Sequence, residues 1–105
     1  MPKDFSRSAR VAEVIQREVA YIMQQGMNDP RVAAVTITHA KVTRDMSSAR
    51  IYFIMQGDEH EVNETEKVLN KASGFIRHEL TGRVDLRHIP KLIFTFDQSI
   101  ERGIR

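Results

Sequence analysis

The sequence contains no cysteine, which excludes a disulfide framework and any metal site built on thiolates while leaving the redox compartment open. No apolar run approaches the roughly 20 residues needed to cross a bilayer. The opening residues, MPKDFSRSAR, lack the apolar segment and small-residue cleavage site of a secretion signal. A membrane partner is therefore not expected, and the cytoplasm is the expected compartment. There is also no internal repeat, no low-complexity tract and no linker rich in Gly, Ser or Pro. A chain of 105 residues then implies one domain over residues 1–105, long enough to close a single modest core. Catalytic signatures are missing too: there is no G-x-S-x-G, no phosphate loop and no H-E-x-x-H. The four histidines, His39, His60, His78 and His88, show no metal-ligand spacing. Neither an enzyme nor a metal or cofactor protein is expected.

Charge is present in both signs but unevenly placed. The 16 Lys and Arg residues only slightly outnumber the 14 Asp and Glu. Five of the acids (Asp58, Glu59, Glu61, Glu64 and Glu66) fall within residues 57–66, which contain no Lys or Arg. The rest of the chain is left with 16 basic against 9 acidic residues. Such segregation predicts a basic face, and basic faces attract polyanions. The acidic cluster lies before and in the first turn of a predicted helix, where carboxylates favour the helix dipole.

Val11, Val14, Ile15, Val19, Ile22 and Met23 recur at the helical period and predict an amphipathic helix, capped by Asp4 or Ser6 and ending near Gly26. Arg7, Arg10 and Arg17 lie within about 80° of one another on its polar side, an arrangement that suits phosphate binding. Asp29-Pro30-Arg31 predicts a turn. Residues 34–43 (AVTITHAKVT) are rich in β-branched residues and, with 49–56 (ARIYFIMQ), predict two strands paired as an antiparallel hairpin. A third strand is predicted at LIFTFD, 92–97. Between the second and third strands, Val62, Thr65, Leu69, Ala72, Ile76 and Leu80 hold one helical phase, so periodicity predicts a continuous helix from about 61 to 82. The order is that of an α+β domain.

That helix carries Ala72-Ser73-Gly74 in its middle, where glycine costs roughly 1 kcal/mol relative to alanine. Lys67, Lys71, Gly74 and His78 fall on its solvent-facing stripe, and a glycine there lets a phosphate backbone come close. The alternative is a solvated surface with glycine permitting a bend. Among the aromatic residues, either Tyr52 or Phe53 faces outward on the second strand, while Phe75, Phe94 and Phe96 are expected in the core. The set makes a poor stacking platform.

Taken together, R-S-A-R-V-A-E-V-I-Q-R-E, then D-P-R, then I-T-H-A-K-V-T-R-D-M-S-S-A-R-I-Y, then Ala72-Ser73-Gly74 and finally R-H-I-P-K-L-I-F-T-F-D-Q-S-I-E-R-G resemble the bacterial ribosome-binding factor A family over nearly the whole chain. The resemblance implies a type II KH-like fold, α-β-β-α-α-β, with a mixed three-stranded sheet. In it, Ala72, Ser73 and Gly74 form an interhelical kink where KH domains carry a G-x-x-G loop. The five glycines contain no G-x-x-G pair. Recognition of shape and phosphate is thus expected rather than sequence-specific reading of a single strand. The resemblance further implies binding of a monomer to the immature small ribosomal subunit near the 5′ end of 16S rRNA, with neighbouring ribosomal proteins as partners. It also implies support of late rRNA maturation and cold adaptation, and release by an assembly GTPase. Relatives often carry a charged C-terminal extension, whereas this chain stops at Ile104-Arg105.

The candidate RNA-binding residues are Lys67, Lys71, Ser73, Gly74 and His78, the Arg7, Arg10 and Arg17 flank, and Arg83, Arg87, His88 and Lys91 near the third strand. About five phosphate contacts would give a single-strand salt slope near −3.5. A competing reading is a protein-interaction or homo-oligomeric module that pairs through an exposed sheet edge, with Ile51, Phe53 and Met55 of the second strand extending a partner's sheet.

Overall fold

In the computed structural model, residues 3–26 and 29–98 are described. The elements are α1 (Lys3–Gly26), α2 (Pro30–Ala33), β1 (Thr36–Val42), β2 (Ser48–Ile54), α3 (Glu59–Lys71), α4 (Ser73–Thr81) and β3 (Lys91–Phe96). The strand order is β1-β2-β3, with β1 and β2 antiparallel and β2 and β3 parallel. This is the mixed sheet of a KH-like α+β fold, with one extra turn of helix. The chain's end at Ile104-Arg105 lies outside the described residues.

Helix α1 begins at Lys3, so it already contains Asp4 and Ser6 rather than starting after either. Ala12, Ile15, Val19, Ile22 and Met23 are buried along its inner face. Asp29-Pro30-Arg31 does more than turn the chain: it starts α2. The Asp29 carboxylate accepts the Arg31 amide at 2.9 Å, and proline sits where a helix needs no N–H donor.

The hairpin loop is organised by Asp45, whose Oδ1 accepts from the Thr43 hydroxyl at 2.8 Å, the Ser47 hydroxyl at 2.8 Å and the Ser47 amide at 3.1 Å. These hydroxyl and amide donors hold the Asp45 carboxyl below its ordinary pKa. The ladder is irregular between Ile37, opposite Phe53, and His39, opposite Tyr52. Thr38 is bulged there, and its hydroxyl lies 2.9 Å from Asp97 Oδ2. The bulge shifts the alternation by one residue, so Ile37 packs against the core while His39, two residues on, is exposed.

A capping box starts α3: Asp58 Oδ1 accepts the Glu61 amide at 2.8 Å, and Glu61 Oε1 accepts the Asp58 amide at 3.1 Å. The periodicity-based reading of one helix across 61–82 is overturned, because the helix breaks at Ala72. An unbroken phase does not reveal such a break, since both halves bury the same stripe: Thr65 and Leu69 before it, Ile76 and Leu80 after it.

The core joins α1, α3 and α4 to one face of the sheet through Ile15, Val19, Ile51, Phe53, Leu69, Ile76, Leu80 and Phe94. Two expectations fail here. Phe75 is 47% exposed, because Ile76 takes the inward position and Phe75 is rotated about 100° away from it. The strand expected to offer a free edge, β2, is the central one, with Ile51 and Phe53 fully buried.

Candidate nucleic-acid interface

The break between α3 and α4 is built from polar contacts. Ala72 N–H is shared between Val68 O at 3.0 Å and Leu69 O at 3.1 Å. The Ser73 hydroxyl turns back to Asn70 O at 2.8 Å. Asn70 is itself fixed, its carboxamide bridging both backbone groups of Phe94: Nδ2 donates to Phe94 O at 2.9 Å and Oδ1 accepts the Phe94 amide at 2.8 Å. Glu66 Oε2 accepts the Phe96 amide at 2.9 Å. Side chains of α3 thus occupy the free edge of β3 where another strand would bind.

No side chain caps α4. The amides of Ser73, Gly74 and Phe75 precede the first bond into this helix, from Ile76 N–H to Ala72 O at 3.1 Å. They sit at the positive end of the helix dipole, which favours anions. Nothing lies within 4 Å of where a Cβ at Gly74 would stand, and its φ is not in the left-handed region. Neither backbone geometry nor packing therefore demands glycine at this site. What glycine provides is open backbone.

Lys67 and Lys71 on α3, before the break, and His78 on α4, after it, are exposed. Lys67 lies 3.8 Å from Glu64, a solvent-exposed pair worth little. Lys71 forms no ion pair with another described residue. Phe75, in the first turn of α4 just past the break, adds an exposed aromatic ring. Sequence patterning missed it, since an aromatic inside an apolar helix pattern reads as core.

The other candidate cations separate into distinct settings. Arg7, Arg10 and Arg17 are exposed on α1. Arg17 lies 3.8 Å from Glu18, and the same carboxylate binds Arg83 Nε at 2.6 Å. Arg83 also stacks over the Tyr21 ring at 4.3 Å, so it fastens the segment after α4 to α1. Arg87 and His88 are exposed in that segment. It is pinned to α4 by Arg77, which donates to Ile89 O from Nε at 3.0 Å and Nη2 at 2.7 Å. Lys91 alternates with buried Leu92 and so points to the sheet face turned away from the helices. Among the described residues, no group of three or more His, Cys, Asp or Glu could hold a metal ion. No described helix is long and apolar enough to cross a membrane.

Comparison with known proteins gives this arrangement a family. The family model described as ribosome-binding factor A matches residues 7–105. The ribosome-binding factor A of Nitrosomonas eutropha is 46% identical over 105 residues, covering 100% of this chain and 90% of that protein. The crystal structure of ribosome-binding factor A from Thermus thermophilus superposes with a TM-score of 0.75 at 24% identity, covering 85% of this chain and 93% of that one. A homology model of the Thermus thermophilus factor, as fitted into the cryo-EM map of a 30S complex, gives a TM-score of 0.71 at 23% identity, covering 87% and 96%. With its sequence matched almost end to end and its fold shared with solved members, the chain belongs to the ribosome-binding factor A family.

Proposed function

We propose that the protein binds the immature small ribosomal subunit near the 5′ end of 16S rRNA, through the break between α3 and α4. A homology model of the Thermus thermophilus factor has been fitted into the map of a 30S complex, and family membership carries that partner to this chain as a reading. The observation that supports the site is Gly74, a glycine that neither φ nor packing requires, set at an uncapped helix start between Lys71 and His78. Phosphates approach the open amides and the Lys67 and Lys71 ammonium groups, and Phe75 offers a flat surface to an unpaired base. Arg7, Arg10 and Arg17 extend the contact along α1. The role is binding rather than catalysis. It supports late rRNA maturation and growth in the cold, and an assembly GTPase releases a monomeric factor.

The test is co-sedimentation with immature small subunits, mature small subunits and assembled ribosomes across a salt series. Selective binding to small subunits that weakens steeply with salt and is lost in the double variant Lys67→Glu/Lys71→Glu is the expected result. Absence of binding to every particle at low salt overturns the reading. Pairing through the second strand is a weaker alternative, because β2 is central and the β3 edge is occupied by Asn70 and Glu66, which leaves β1 as the edge for such a contact.

A further inference from the structure

Among the described residues, no element packs on the sheet face opposite the helices. Alternation along the strands places His39 and Lys41 of β1, Arg50 and Tyr52 of β2, and Ile93 and Thr95 of β3 there. The register sorts them into two rows. Lys41 stands opposite Arg50, which stands opposite Ile93; His39 stands opposite Tyr52, which stands opposite Thr95. A groove of about 1230 Å³, to which this face contributes His39, Lys41, Tyr52 and Thr95, runs toward the start of α3, and a smaller hollow of about 300 Å³ beside it is lined by Lys41, Arg50, Tyr52 and Ile93.

Two features point to the chemistry of a ligand for this face. Lys41 and Arg50 are like charges directly opposite one another, a pairing that weakens a sheet. Among the described residues, no carboxylate is ion-paired with either; Arg50 Nη1 donates instead to the neutral Thr95 hydroxyl at 2.9 Å. A polyanion lying across the row removes the repulsion. In the next row the rings of His39 and Tyr52 lie with centroids 6.0 Å apart and planes tilted by 32°, presenting flat surfaces beside the cations. About 6.8 Å of strand separates Arg50 from Tyr52, and a nucleotide likewise sets an anionic phosphate a short distance from a flat base. The far wall of the groove carries Glu59, Glu66 and Asp97. Their charge repels phosphates from that wall and leaves the carboxylate-free hollow lined by Lys41, Arg50, Tyr52 and Ile93 as the place for them.

We propose that the open sheet face binds single-stranded RNA, with a base stacked on Tyr52 and His39 and the flanking phosphates on Lys41 and Arg50. This goes beyond the particle-binding reading and does not depend on it, since the two surfaces lie on opposite layers of a molecule whose smallest extent is 17 Å.

The experiment is fluorescence-anisotropy titration of the full chain with a labelled oligouridylate of about ten nucleotides, within the usual site size of single-strand binders, and with a duplex RNA of equal length. Tyr52→Phe keeps the ring and should bind within about twofold of the unmodified protein. Tyr52→Leu should bind about fivefold or more weakly, as loss of one stacked base implies. Lys41→Ala and Arg50→Gln should each reduce the salt slope by about 0.7, and they test the proposal independently if Tyr52→Leu proves unfolded by circular dichroism. The duplex should bind more weakly, because its bases are not free to stack. Three results overturn the proposal: no oligouridylate binding at low salt, equal affinity of Tyr52→Leu and the unmodified protein, or loss of binding only in Lys67→Glu/Lys71→Glu. Co-sedimentation of the same variants with small subunits separates the two readings, since either surface can fail while the other is retained.

Discussion

Two glycines on the same crossover answer to different physics. Gly57 has φ of +148°, a region open essentially to glycine alone, and a Cβ there would meet the Glu61 Cβ at 3.2 Å. Gly57→Ala should therefore cost about 1–3 kcal/mol, read as a lower urea midpoint. Gly74 is held by no such requirement. Replacing it by alanine should raise stability by up to about 1 kcal/mol through helix propensity, while weakening co-sedimentation with small subunits. Stability rising as binding falls is the pattern that separates a functional glycine from a structural one. A Gly74→Ala protein that is more stable and binds equally well would remove Gly74 from the interface.

At the scale of elements, α3 both carries the candidate interface and closes the sheet. Asn70→Ala should leave the N–H and C=O of Phe94 to water in place of their partners, at a cost of about 0.5–1.5 kcal/mol for each hydrogen bond lost. It also opens the β3 edge, so light scattering should show concentration-dependent association that the unmodified protein lacks. The hairpin depends on Asp45 in a pH-dependent way. Its carboxyl has a pKa lowered from 3.8 by Ser47 and Thr43, so its contribution is fully present above about pH 4 and is lost as pH falls through the lowered value. Asp45→Asn should flatten that part of the acid-unfolding profile and leave the neutral-pH profile nearly parallel.

For the whole molecule, charge is distributed over two layers rather than gathered at one site. Lys67, Lys71 and His78 flank the break on the helical side, while Lys41, Arg50 and Lys91 lie on the open sheet. Arg83 is committed to Glu18 and Tyr21. Particle binding that uses about five phosphate contacts should show a salt slope near −3.5. Lys67→Ala and Lys71→Ala together should reduce it by about 1.4, measured by sedimentation at stepped salt.

Much of this was legible in the chain because local patterns report local burial. The face of α1, the five-residue hairpin loop, the alternating Leu92 and Phe94 and the shared phase of Leu69, Ile76 and Leu80 all follow from the period of the element that holds them. The motifs themselves carried the family, and with it the break at Ala72 that periodicity alone denied. Other features arise only when distant segments meet. The bulge at Thr38 turns His39 outward beside Tyr52. Insertion of β2 between β1 and β3 buries the strand that sequence offered as an edge. Asn70, which no pattern marked, and Glu66, read only as part of the acidic cluster, close the β3 edge from α3. Periodicity determines which side of an element is apolar, because burial repeats with the backbone's own geometry. Strand order, edge protection and the gathering of cations on a face were decided by tertiary structure, because each depends on residues tens of positions apart packing against one another.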